Sequence, residues 1–320
     1  VYKRQVLALG GYIASSGSKA LVYPARRSLQ DYHRDILSQQ ADHGLIVQDL
    51  GLVAGAPVQL YRPIKDPGAA KKSRALRAEL QHRGIAPPAW GASVGTLVML
   101  HGRNGRKEDH LPIAERFCAA GFVCVSIDLP GHGEHPSDLA TFGHREAPLV
   151  PALLAELRKT HALPAPTALF GISQGGCIAL KATAAHPETY FALASVASFA
   201  DLNEILQTSA ERYHPVIRPA SGLATRLVRF GTWCRAGFDP ASIKPAEAAS
   251  TLHIPVFIGH GHQDTFIPPD HARRILHAVP HERKTLRIVP DGSHGNVLAR
   301  GGNQLYADMA AFLLRHLPVS

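Results

Sequence analysis

Six short apolar runs most constrain this chain: Thr96 to Leu100, Phe122 to Ile127, Thr167 to Ile172, Tyr190 to Val196, Ile254 to Gly259 and Leu286 to Val289. Their hydrophobicity is continuous rather than alternating, as expected of strands covered on both faces, and such strands belong to parallel sheets. The segments between them are long enough for crossover helices. Helical patterns fall at Leu111 to Ala120, Ala147 to Thr160, Gly175 to Ala185, Pro269 to Ala278 and Gln304 to His316. Upstream, Val47 to Val53 and Pro57 to Tyr61 flank Ala54-Gly55-Ala56 and read as an antiparallel hairpin at a sheet edge. The expected fold class is α/β, a doubly wound and mostly parallel sheet.

At 320 residues with 45% hydrophobic content, the chain can bury one large core, and residues 21–320 are read as a single domain. Two departures from the strand–helix rhythm are expected. Residues 63–93 carry a basic stretch followed by Pro87-Pro88, which suits a surface insertion with one short helix. Residues 198–251 form an oversized connection rich in glycine and proline, placed to act as a small helical cap. Residues 1–20 are set apart: Lys3 and Arg4 precede the apolar stretch Val6 to Ala14, the pattern of a remnant of a signal or anchor segment. No compartment is readable from these residues. A cytoplasmic chain is the default, and export or anchoring follows only if that segment is a signal. No run of eighteen apolar residues offers a stable membrane span.

Lys and Arg number 34 against 25 Asp and Glu, a formal charge of +9, but no block of like charges marks a nucleic-acid arm. Nucleic acid is therefore not an expected partner, and oligomeric state is not readable. The four cysteines, Cys118, Cys124, Cys177 and Cys234, form no C-x-x-C pair and suggest neither a disulfide framework nor a metal site.

Chemistry concentrates where strands end. Gly171-Ile172-Ser173-Gln174-Gly175-Gly176 follows one strand and opens a helix, the strand–turn–helix setting of a G-x-S-x-G nucleophile elbow. A serine hydroxyl needs a base to take its proton, normally a histidine oriented by a carboxylate. Asp264 and His294 each directly follow a later strand, in the order serine, acid, histidine. Asp201, Asp128 and Asp291 are the alternative acids. His260 and His262 in the acid loop and His271 on the next helix read as capping or surface groups. After Thr96 to Leu100 comes His101-Gly102-Arg103-Asn104-Gly105, a turn able to supply a backbone donor to an oxyanion. The expected donors are the N–H groups of Arg103 and Gln174. His101 braces the loop and Gly102 admits substrate, both within the substrate-binding region; the Arg103 side chain is open to an acidic substrate group or to solvent. The loop Asp128 to Glu134 lines the same edge, with Glu134 and His135 as substrate-facing candidates.

The motifs HGRNG, DLPGHG, GISQGG, GHGHQD and GSHGN, in this order, resemble those of the α/β-hydrolase superfamily over about residues 47 to 318. The short cap and the trailing Ser-His-Gly look like the branch of dienelactone-hydrolase-like, prolyl-oligopeptidase-like and acetyl-esterase-like enzymes. The resemblance implies Ser173 as nucleophile, His294 as base, Asp264 as its orienter, and Arg103 with Gln174 as oxyanion donors. Dienelactone hydrolases use cysteine where this chain has Ser173. The peptidases carry a large N-terminal propeller, for which about ninety-five residues leave no space. The expected activity is thus serine-dependent hydrolysis of a small-molecule carboxylic ester through an acyl-enzyme, with no metal or organic cofactor. Thioester or small-peptide and amide hydrolysis is the alternative, and a non-catalytic binding module the remote one. Tyr213, Phe230, Trp233 and Phe238 are the aromatic groups of the cap placed to select the substrate.

Overall fold

The computed structural model describes residues 2–213 and 218–318, apart from the side chains of residues 2–4, 6, 7 and 213. Two helices come first, α1 (Tyr2–Val22) and α2 (Asp31–Ser38), followed by the hairpin β1 (Leu45–Val53) and β2 (Ala56–Pro63). Then come α3 (Lys71–His82), β3 (Gly95–Leu100), α4 (Leu111–Ala119), β4 (Phe122–Ile127), α5 (Glu146–Thr160) and β5 (Thr167–Ile172). The chain continues with α6 (Gln174–Ala185), β6 (Ala192–Val196), α7 (Leu202–Tyr213), α8 (Ser221–Ala236) and α9 (Pro245–Ala249). It ends with β7 (Val256–Gly261), α10 (Asp270–Ala278), β8 (Lys284–Val289) and α11 (Val297–Arg315), the last kinked at Gly302.

The eight strands form one sheet in the order β1-β2-β4-β3-β5-β6-β7-β8. β1 and β2 pair antiparallel, as do β2 and β4, and all later pairings are parallel. Continuous apolarity in the strands is explained by a core on each face. In β3, Leu97 and Met99 join the layer packed by α4 and α11 around Phe117, Tyr306 and Phe312, while Val98 and Leu100 join the opposite layer with Leu153, Leu157 and Ile178. A third apolar cluster holds Leu21, Phe142, Phe199, Leu202, Phe238 and Ile267, and joins the ends of α1 and α8 and the start of α7 to the loops after β4 and β7.

Sheet order also fixes where a site can form. From β3 the chain moves to β4 on one side, and then returns to place β5 on the other, with Leu100 in register with Gly171. At such a reversal the loops leaving adjacent strands diverge and open a crevice at their carboxyl ends.

Of the stretch set apart on sequence, residues 2–20 lie in α1, and this helix packs along α8. Small residues make the close approach possible: a Cβ on Gly17 would collide with Val228, and one on Gly231 with the Ala14 carbonyl. Ser18 is fully buried at the crossing and accepts a hydrogen bond from Arg235 Nε at 3.2 Å. Among the described residues no helix is long and apolar enough to cross a membrane.

Candidate active site

Ser173 sits between β5 and α6 with φ +52° and ψ −113°. Such left-handed backbone is costly for a non-glycine residue, and persists only where the surroundings impose it. They do so here through main-chain contact. A Cβ on Gly175 would collide with the carbonyl of Leu100 at the end of β3, and one on Gly171 with the carbonyl of Gly175. The Ser173 amide donates to the Val196 carbonyl at 2.8 Å, tying the turn to β6.

His294 Nε2 lies 3.1 Å from Ser173 Oγ, and His294 Nδ1 lies 2.8 Å from Asp264 Oδ2. Since a carboxylate only accepts, Nδ1 carries the ring proton and Nε2 presents its lone pair to the serine hydroxyl. The other carboxylate oxygen, Oδ1, accepts from the amides of Phe266 at 3.0 Å and Ile267 at 2.7 Å. His260 Nε2 donates to the Ile267 carbonyl at 2.8 Å and stands 3.3 Å from Asp264 Oδ2. Burial of Asp264 would raise its pKa, but hydrogen bonds from His260, His294 and the Ile267 amide outweigh that and hold it well below the usual carboxylate range. The ring of Phe266 meets the His294 ring edge-on at 5.1 Å. This arrangement can deprotonate the serine hydroxyl and stabilise the resulting imidazolium.

Solved structures with this architecture are numerous. An esterase of Pyrococcus furiosus superposes with a TM-score of 0.66 at 13% identity, covering 93% of this chain and 100% of that one. A 2,6-dihydroxy-pseudo-oxynicotine hydrolase gives 0.55 at 22%, covering 85% of this chain and 68% of that one. An acylaminoacyl peptidase of Pyrococcus horikoshii gives 0.58 at 14%, covering 91% and 44%. The model of a hydrolase family described as serine aminopeptidase, S33, matches residues 91–229, the stretch that carries the Ser173 elbow. The chain has the α/β-hydrolase fold. No curated protein matches it in sequence.

The loop after β3 faces the elbow, and a Cβ on Gly102 would lie 3.6 Å from Ser173 Cβ, in ordinary contact with it. The Arg103 amide has no hydrogen-bond partner among the described residues, and the Gln174 amide, at the first position of α6, has no partner within the helix. His101 accepts from the Leu129 amide at Nε2 (3.1 Å), and its Nδ1 donates to the Gly102 carbonyl at 2.8 Å. Both ring nitrogens are thus used inside the protein and the ring is 1% exposed, so His101 braces the loop and does not touch substrate.

Neither reading of the Arg103 side chain holds. Its guanidinium donates to the carbonyls of Ala20 and, at 2.6 Å, Leu21, the last turn of α1. Burial lowers its pKa to about 10, which still leaves it charged at neutral pH. Nearby, Asn104 Oδ1 accepts from the Ala25 amide at 2.9 Å and Arg27 Nε donates to the Asn104 carbonyl at 2.5 Å, so residues 20–27 clasp the whole loop.

The alternative acids have structural duties. Asp201 accepts from the amides of Asn203 and Glu204 and caps α7. Asp128 accepts from the amides of Lys107 and Glu134, and Asp291 is exposed. Glu134 pairs with the buried Lys107 at 2.6 Å, and His135 Nδ1 accepts from the Ser137 amide, so neither is brought to Ser173. His260 is fully buried behind Asp264 instead of capping or solvated, and His271 is nearly buried, accepting from the Ala200 amide. His260 lies in β7, where every residue is buried, so its attachment to that apolar run is the sequence signal that marks it as internal.

Of the aromatic residues expected to select the substrate, Phe230, Trp233 and Phe238 do not converge on Ser173. Trp233 is 59% exposed on the outer face of α8 and pairs with Phe230, itself exposed. Phe238 is buried and stacks on His144 at 5.6 Å. The Tyr213 side chain lies outside the described residues. Among the described residues no cluster of three or more His, Cys, Asp or Glu is placed to hold a metal ion.

Proposed function

We propose that this hydrolase cleaves carboxylic esters of small molecules through an acyl-enzyme on Ser173. The observation that carries the reading is the unbroken chain from Ser173 Oγ through His294 to Asp264, at 3.1 and 2.8 Å, with the far carboxylate oxygen anchored by two amides. His294 takes the hydroxyl proton as Ser173 Oγ attacks the ester carbonyl carbon. The carbonyl oxygen gains negative charge and is met by the Arg103 and Gln174 amides, each worth about 100- to 1,000-fold in rate in such holes. As the tetrahedral intermediate collapses, the C–O bond to the alcohol breaks and His294 returns its proton to the leaving oxygen. Water, deprotonated by the same histidine, then releases the acid and restores Ser173.

The same groups would run hydrolysis of a thioester or a small amide, and the match to a family described as serine aminopeptidase favours keeping peptide amides as the second reading. Hydrolysis of p-nitrophenyl esters from acetate to palmitate, set beside aminoacyl p-nitroanilides, separates the two. Ester turnover abolished by Ser173→Ala and by His294→Ala is the expected result; anilide turnover without ester turnover would replace the ester reading.

A further inference from the structure

A cavity of about 380 Å³ opens at His294, bounded by Ile172, by Ile113 and Arg116 of α4, and by Val297, Leu298 and Tyr306 of α11. Its size lies in the range of small-molecule sites, and such sites are mostly apolar with a few placed polar groups. Three charged side chains line it, and their pairing differs. Lys72 is committed to Glu115 at 3.4 Å. Asp109 accepts from Arg27, from His33 at 3.1 Å and from the Arg106 amide at 3.1 Å; burial would raise its pKa, but these contacts hold it at about 2. Its charge is thus already compensated.

Arg116 is different. Its guanidinium lies over the Tyr306 ring at 4.3 Å, and Nη1 donates to the Pro112 carbonyl at 2.6 Å. No carboxylate pairs with it among the described residues; its Nε has no partner but is itself buried, so the cavity meets the guanidinium elsewhere on its edge. A half-buried guanidinium with no carboxylate partner, set beside Ile113, Val297 and Leu298, is matched best by a planar two-oxygen anion.

We infer that this cavity seats a carboxylate carried by the substrate, so that the preferred esters are anionic, with Arg116 as the group that selects them. The inference rests on the ester reading of Ser173 for its substrate class, and on the cavity alone for its anion.

Two matched pairs test it: mono-p-nitrophenyl glutarate against p-nitrophenyl pentanoate for a carboxylate on the acyl side, and 4-carboxyphenyl against 4-carbamoylphenyl butyrate for one on the alcohol side. One pair is expected to show an anionic-over-neutral ratio in kcat/KM of about 10- to 100-fold, the range of hydrogen bonds to a charged group. In Arg116→Met, which keeps the apolar stem against Tyr306, that ratio collapses to within about threefold of one, while Arg116→Lys keeps part of it. Ratios near one in both pairs for the wild type, or a ratio that survives in Arg116→Met, overturn the assignment. Saturation-transfer NMR of monomethyl glutarate with Ser173→Ala, with and without Arg116→Met, reads the cavity independently of turnover. If no ester is hydrolysed and a fluorophosphonate leaves Ser173 unlabelled, the ester reading fails; binding of monomethyl glutarate that needs Arg116 would then still support the anion site, and no binding would overturn it.

Discussion

Replacing Asp264 by asparagine tests the site at its most constrained atom. The amide side chain would keep its carbonyl oxygen where Oδ1 now accepts from the amides of Phe266 and Ile267 at 3.0 and 2.7 Å. Its NH2 group would then take the place of Oδ2 and face His294 Nδ1 at 2.8 Å and His260 Nε2 at 3.3 Å, donor against donor. His294 escapes the clash by moving its proton to Nε2, and in that tautomer it has no lone pair for Ser173. In triads of this kind the same exchange lowers kcat about 10,000-fold, which is about 5 kcal/mol of transition-state stabilisation. Stability should suffer less, by about 1–3 kcal/mol, since one donor is left facing another. Asp264→Ala separates the two effects: it strands both amides, at about 1–3 kcal/mol for each, while the His260 N–H keeps the Ile267 carbonyl. The assay is kcat on p-nitrophenyl butyrate together with urea unfolding of both variants. An Asp264→Asn enzyme within tenfold of wild type would falsify the view that the carboxylate sets the tautomer of His294.

Other expectations are as direct. Gly175→Ala pushes a methyl into the Leu100 carbonyl, so it should lower stability by about 3 kcal/mol or more and abolish turnover; a folded, active variant in a thermal melt and ester assay would contradict the main-chain contact. Arg103→Met frees the carbonyls of Ala20 and Leu21 and loosens the loop bearing the proposed donor. Its kcat should fall about 10- to 100-fold, short of the full value of a donor, with KM within about threefold and Arg103→Lys partly restored; equal losses in kcat and Tm for Met and Lys would indicate packing alone. His110 and His132 are buried, and desolvation lowers both pKa values to about 3. Unfolded histidine titrates near 6.5, so the unfolded chain binds more protons and stability falls as pH drops below that value, by about 1 kcal/mol per histidine between pH 6.5 and 5.5. Asp109, held at about 2, adds its own loss only below about pH 4. Flat urea midpoints between pH 7 and 5.5 would show that these histidines are not held neutral.

The sheet is legible in the sequence because its strands are buried on both faces, and each of Ser173, Asp264 and His294 follows a strand directly, where short-range pattern suffices. What escapes such a reading depends on partners far along the chain. The packing of α1 on α8 is one such case: Ala14 meets Gly231 and Gly17 meets Val228, both more than two hundred residues along the chain. Arg103 meets carbonyls about eighty residues upstream, which no local window contains. Trp233 is a different case. Leu223, Phe230 and Trp233 lie along one face of α8, a spacing that reads as a buried stripe, yet all three are exposed, so the pattern alone misplaces Trp233. The α2 helix leaves little pattern to read, because its eight residues are mostly polar and only His33 and Ile36 are buried.

At two joints of this protein, backbone rests directly on backbone: Gly175 against the carbonyl of Leu100, and Gly261 against Gly292 between the acid and histidine loops. No side chain acts as a spacer at either place, so the separations of Ser173, Asp264 and His294 are inherited from the strands. Mutational drift in the two cores can change volumes and shapes for a long time before it reaches the site as a displacement. In a lineage, the core and the chemistry are therefore free to diverge at different rates, and the loops and cavity walls, not the sheet, are where new substrates would be acquired.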